Sequence, residues 1–166
     1  QEGIISKKID ARYAFGKRTR SWLKVKCTRR QEFVIIGWKK STARGRPFSS
    51  LLLAQREGEN WVYKGNVGTG FNQDSLQDLA SKFASLERKT APAEVDRAAS
   101  RGVTWLTPKL VAEIAFSEET HDAHLRHPSF LGLRADKAAE EVVPEVAADP
   151  PGDDAADDVA ISNRER

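Results

Sequence analysis

One segment, SLQDLASKFASLERK (75–89), carries Leu76, Leu79, Phe83 and Leu86 at three- and four-residue spacing, and the chain on both sides of it reads as strand. That spacing lines one face of a helix with apolar side chains. Before it come EFVIIGWKK (32–40), SSLLLAQRE (49–57) and WVYKGNV (61–67); after it come VTWLTP (103–108) and KLVAEIAFSEE (109–119). The strand-like runs are β-branched or alternate in polarity, and STARGRPF, GEN and GTGFNQ supply the Gly, Pro, Ser and Asn expected of the connections. Asn72 or Asp74 is placed to cap the helix. Gly37 interrupts the first strand and predicts a bend or bulge. TAPAEVDRAAS (90–100) reads as a surface loop, and RHPSFLGLRADK (126–137) as the close of the ordered part.

Three strands, a helix and two more strands predict a mainly β fold over residues 29–137: a five-stranded, partly open OB-fold barrel with one helix. An SH3-like barrel or small sandwich is the alternative, and the central helix argues against it. Upstream, GIISKKI (3–9) and RSWLKVKC (20–27) read as two further strands. An isolated hairpin is marginal in water, so residues 1–28 are expected to end a truncated domain whose other strands precede them. The chain has no methionine, even at position 1, which also predicts a piece of a longer polypeptide. From residue 138 to 166 the composition turns to Ala, Glu, Asp and Pro without periodicity or aromatics, which predicts a disordered acidic tail or linker.

The net charge of +3 conceals a division. Nine acidic residues and two arginines follow residue 137, leaving 25 basic and 15 acidic residues before it. Between residues 17 and 46 eleven lysines and arginines face a single acid, Glu32. Such a block points to a polyanion, nucleic acid above all, with a merely solvated face as the alternative. No apolar run is long enough to span a bilayer, so no membrane partner is expected. The lone cysteine, Cys27, excludes an intramolecular disulfide within this sequence and is expected to be a small packed side chain.

In SWLKVK (21–26) a strand's alternation puts Trp22, Lys24 and Lys26 on one face. Two ammoniums roughly 7 Å apart repel by about 2 kcal/mol at an effective dielectric of 20, and by far less in open water. Either the face is solvated or an anion sits on it.

EGIISKK, SWLKVK and RADK, in that order and with the OB-like pattern between the last two, resemble the final three nucleotidyltransferase motifs of ATP-dependent DNA ligases. GWKKSTARGRPFSSLLLA, VGTGF, LVAEIAF and LRHPSFLGLRADK are similar to one branch, the ligase module of bacterial end-joining ligase D. The likeness covers residues 2–137. It implies a domain boundary near residue 28, between the last strands of an adenylation domain and an OB domain. It also implies transfer of AMP from ATP to an enzyme lysine, then to a 5′ phosphate, then its displacement by a 3′ hydroxyl. All are in-line displacements at phosphorus, in which positioning and charge neutralisation do most of the catalysis.

By the same resemblance Glu2 matches a metal-associated glutamate, an oxygen ligand for Mg²⁺ or Mn²⁺. Lys7, Lys24 and Lys26 match nucleotide-binding lysines, and a phosphate between Lys24 and Lys26 would turn their repulsion into attraction. Arg134, Asp136 and Lys137 match the OB-domain motif that orients the departing pyrophosphate. Lys39, Lys40, Arg44 and Arg46, in and beside the loop after the first barrel strand, are expected to contact the backbone of nicked or broken duplex DNA without reading its sequence. The likeness further implies Ku and polymerase or nuclease modules as partners, a bacterial cytoplasmic (nucleoid) setting and a monomer. The adenylylated lysine of the family lies in a K-x-D-G motif, which this sequence lacks, so the fragment is expected not to adenylylate itself.

Other readings stay open: a non-catalytic OB-fold module that grips DNA, or a capping- or RNA-ligase-type nucleotidyltransferase. Lys24 and Lys26 could be a solvated strand face, and Asp136 a surface salt-bridge partner of Arg134 or Lys137. Trp38, Trp61 and Trp105 suit core packing better than base stacking. His121, His124 and His127 lack the cysteine or carboxylate partners of a metal set.

Overall fold

The computed structural model describes residues 3–12, 15–16 and 20–144, and its centre is the apolar run Phe33–Ile36, every residue of which is fully buried. Successive strand residues point to opposite faces, so an unbroken apolar run means that both faces are covered. Phe33 and Ile35 face the main core with Leu53, Ala112, Ile114 and Phe116; Val34 and Ile36 face two smaller clusters on the other side.

After the strands β1 (Gly3–Lys7) and β2 (Trp22–Lys26) come β3 (Arg29–Lys40), β4 (Phe48–Glu57) and β5 (Asn60–Val67). Helix α1 (Gln73–Phe83) follows, then β6 (Glu87–Arg88), β7 (Ala93–Glu94), the short helix α2 (Arg97–Ser100) and β8 (Val103–Phe116). Three further strands, β9 (Glu118–Glu119), β10 (Leu125–Arg126) and β11 (Ser129–Leu133), precede a 3-10 turn at Ala139–Glu141. β1 and β2 form one antiparallel pair and β9 and β10 another. The main sheet has seven strands along the path β11–β8–β3–β4–β5–β7, with β6 paired to β8.

The fold is mainly β, as expected, but the sheet is not a closed barrel. Its path ends at β11 and β7 without joining them, and β7 has only two residues in parallel register with β5. The two strands expected over 103–119 are one 14-residue strand, β8, that runs through Pro108. The helix ends at Phe83 rather than near 89: the Leu86 N–H donates to Phe83 O, and Glu87 and Arg88 pair with Leu106 and Trp105. Asn72 is its cap, accepting from the Ser75 N–H at 2.7 Å while Ser75 Oγ accepts from Asn72 N–H. Leu76, Leu79 and Phe83 go into the core.

The bulge expected at Gly37 is present. The register of β3 skips from Ile35 to Gly37 against both β4 and β8. One inserted residue reverses which face the following side chains take, and Trp38 consequently packs on the helix side, stacked on Phe83 at 5.7 Å. Trp61 and Trp105 pack on the opposite face, beside Ile36, Leu52 and Ala54. All three indoles therefore serve packing.

Two expectations change. Cys27 is exposed, not packed, because it follows the end of a two-stranded ribbon whose side chains are themselves largely exposed. The chain expected to leave the fold at residue 138 stays on it: Ala139 and Val142 are buried against Val34 and Val111, and Val142 O accepts from Arg56 N–H at 2.9 Å. Residues 145–166 of the expected tail lie outside the described residues.

The VGTGF loop fixes the start of β11. Thr69 O accepts from Phe130 N–H at 2.9 Å, and Phe71 stacks on Phe130 at 4.8 Å. Gly70 has φ +89°, and a Cβ there would lie 2.3 Å from Phe130 O. Gly58 also has positive φ, +62°, yet nothing lies within 4 Å of its Cβ position. Gly70→Ala is expected to destabilise by about 2–4 kcal/mol and Gly58→Ala by about 1 kcal/mol; urea unfolding midpoints of the two variants test this difference.

Candidate functional site

β1 and β2 pair with Lys7 opposite Trp22, Ile5 opposite Lys24 and Gly3 opposite Lys26. Directly opposed residues of an antiparallel pair share a face, so Lys7, Lys24 and Lys26 lie on one side of the ribbon. Lys7 Nζ sits 4.2 Å from the Trp22 ring centroid, a cation–π contact that holds one ammonium toward this face. The other side carries Ile4, Leu23 and Val25, each more than half exposed. The alternation read from SWLKVK is thus the one the backbone adopts. Glu2 lies outside the described residues.

Arg134, Asp136 and Lys137 follow β11, whose bulged register against β8 ends at Leu133 opposite Ala112. The Arg134 N–H extends this pairing by donating to Val111 O at 2.8 Å. Its guanidinium forks onto Asp136, Nε to Oδ1 and Nη2 to Oδ2, both at 3.0 Å. Bidentate charge-assisted bonds of this kind are the strong ones. Hydrogen bonding and charge from Arg134 hold the Asp136 carboxyl down at about 2, and the same contacts raise the Arg134 pKa.

Sequence reasoning did not assign a role to Glu32. Arg134 Nη1 donates to Glu32 Oε1 at 3.1 Å, and Lys137 Nζ donates to Oε2 at 2.9 Å. The Glu32 side chain is 19% exposed, against 37% and 32% for its two partners. Buried Gln55 on β4 fixes the backbone there, donating from Nε2 to Glu32 O at 3.1 Å. The available signal was composition, since Glu32 is the one acid within the basic block.

The cations proposed for DNA divide. Lys39, Lys40 and Arg44 stand at the end of β3 and in the loop after it, with Lys40 and Arg44 exposed. Arg46 is turned inward: Nε donates to Phe48 O at 2.9 Å, and Nη2 to Gly68 O at 2.7 Å and Ser49 O at 3.3 Å. Three carbonyls thus tie its guanidinium to the domain, and it orders the loop that carries Arg44. Serving carbonyls is what a buried backbone requires of a nearby donor, and a loop's carbonyl directions are not visible in sequence.

Residues 44–137 match the family model described as ATP dependent DNA ligase C terminal region. The chain is 40% identical over 145 residues to the multifunctional non-homologous end joining protein LigD of Mycolicibacterium smegmatis, covering 86% of this chain and 19% of that protein. Its Pseudomonas aeruginosa counterpart is 36% identical over 155 residues, 90% of this chain and 18% of that protein. The chain thus spans under a fifth of these curated relatives. The crystal structure of the ligase domain from Mycobacterium tuberculosis LigD superposes with a TM-score of 0.69 at 37% identity, over 87% of this chain and 48% of that one. A mycobacterial DNA ligase D complexed with ATP and MES gives 0.63 at 39% identity, over 87% and 47%.

The Arg134–Asp136 fork sets a pH signature. A carboxyl with a depressed folded pKa contributes stability that is present above its unfolded value, 3.8, and lost as pH falls through about 2. A carbon-detected NMR titration is expected to give Asp136 a midpoint near 2, and Arg134→Ala is expected to return it toward 3.8.

Proposed function

The chain belongs to the ATP-dependent DNA ligases through its C-terminal-region match, and from that premise we propose that it is part of an end-joining ligase that seals breaks in duplex DNA. In this reading residues 1–28 close the adenylation domain and residues from 29 onward form the domain that grips DNA. The observation that carries it is the β1–β2 register, which sets Lys7, Lys24 and Lys26 along one face. Three cations on one face suit the phosphates of ATP.

Lys24 and Lys26 bind and orient the nucleotide phosphates, with Lys7 at the far end of the same face. Arg134 offers a planar fork and Lys137 a point charge to the triphosphate tail, and both stabilise charge as pyrophosphate departs. Asp136 keeps Arg134 in the geometry this requires. Lys39, Lys40 and Arg44 meet the DNA backbone, and Arg46 shapes their loop. A divalent cation, Mg²⁺ or Mn²⁺, would take Glu2 as a hard oxygen ligand and neutralise phosphate charge. Ku and attached polymerase or nuclease modules are proposed as partners, on the likeness of the sequence motifs to the end-joining ligases.

The nucleophilic lysine is not supplied by this sequence. With labelled ATP, the 166-residue chain is expected to form no covalent AMP adduct, whereas a full-length polypeptide containing it is expected to form one and to seal nicks. Replacing Lys24 and Lys26 together by alanine is expected to slow sealing by about 10²- to 10³-fold, the scale of lost phosphate and oxyanion contacts. A full-length chain that never forms the adduct, or a double variant that seals at the normal rate, would overturn the reading.

A further inference from the structure

Arg134 and Lys137 converge on the two oxygens of one carboxylate, at 3.1 and 2.9 Å. That carboxylate, Glu32, stands on β3, while its partners follow β11 about a hundred residues later, on a short segment. Asp136 is different in kind, because it lies two residues from Arg134 and moves with it. Among the described residues, the Glu32 contacts are therefore the side-chain ion pairs that must break if residues 134–137 are to leave the sheet.

Two cations, Arg134 and Lys137, stand among three carboxylates, Glu32, Asp136 and Glu113, so the group presents no net positive field to an approaching polyanion. Glu32 also stands directly opposite Glu113 in the β3–β8 register, and like charges so placed repel. The cations relieve that repulsion while the segment is docked, which gives the docked state an electrostatic reason to persist without an added anion.

We propose that Glu32 is a positioning residue that acts as an internal stand-in for phosphate, holding Arg134 and Lys137 on the sheet until a polyphosphate takes its place. The inference rests on the reading above, in which these two cations handle the triphosphate tail. A polyphosphate brings several charged oxygens to the same two donors, so exchange gains charge-assisted bonds while it undocks residues 134–137. Glu32 thus sets a threshold: the segment swings when the competing anion is rich enough in charge, and a single carboxylate or monophosphate does not displace it.

The test is a titration of the 166-residue chain with inorganic tripolyphosphate at low ionic strength, read at the Arg134 Nη1–H signal, the donor to Glu32, so that Lys24 and Lys26 do not contribute. Glu32→Gln is expected to respond at roughly three- to tenfold lower tripolyphosphate than wild type, the scale of one modest ion pair converted to affinity. Glu32→Asp, which keeps the charge, is expected to stay near wild type. Equal midpoints for wild type and Glu32→Gln would overturn the proposal, including the case in which Glu32→Gln merely melts earlier. In the wild-type chain the Glu32 carboxyl carbon is expected to shift over the same titration, and an unmoved Glu32 signal would overturn the proposal even if the glutamine variant fails to fold. An Arg134 signal silent in every variant also overturns it, whereas nick sealing by the full-length chain judges the ligase reading separately.

Discussion

A carboxylate at 19% exposure needs cations or water around it, and Glu32 receives two cations from a segment far away in sequence. The cost of leaving it unpaired is what ties the segment after β11 to the middle of the sheet. Gln55 fixes its backbone from one neighbouring strand, and Glu113 stands opposite on the other. Arg134 and Lys137 therefore answer an electrostatic need of the sheet while holding the donors that suit a triphosphate.

The rest of the architecture delivers those donors to that point. The bulge after Ile35 turns Trp38 onto Phe83 and so fixes α1 against the sheet. The loop leading into α1 then reaches β11 through Thr69, Gly70 and Phe71, which sets the register of the strand that ends just before Arg134. Beyond Lys137, Ala139 and Val142 bury themselves beside Val34 and Val111. The motif is thus held at both ends by apolar packing, with its charged middle held by ion pairs that an anion can compete for.

Period-two alternation made much of this legible. It placed Lys24 and Lys26 on one face without knowledge of β1, and the register then added Lys7. The helix face, its Asn72 cap and the bulge at Gly37 were legible for the same reason, since each rests on local chemistry. What escaped was non-local. The sheet's seven-strand path, in place of five strands, depends on where strands end relative to one another, and the inward turn of Arg46 depends on carbonyls at residues 48, 49 and 68. The Glu32 pairing joins residues about a hundred positions apart, and only the isolation of that acid among cations hinted at it. The composition that suggested an end at 138 was dominated by charge, and two small apolar residues within it were enough to keep the chain on the fold.

The central claim is that Glu32 and Arg134 are energetically coupled across the sheet, and a double-mutant cycle measures that coupling directly. Unfolding of wild type, Glu32→Gln, Arg134→Gln and the double variant at neutral pH is expected to return a favourable coupling, modest because both side chains are partly exposed. The coupling is expected to shrink in high salt. A value indistinguishable from zero at low ionic strength would contradict the account.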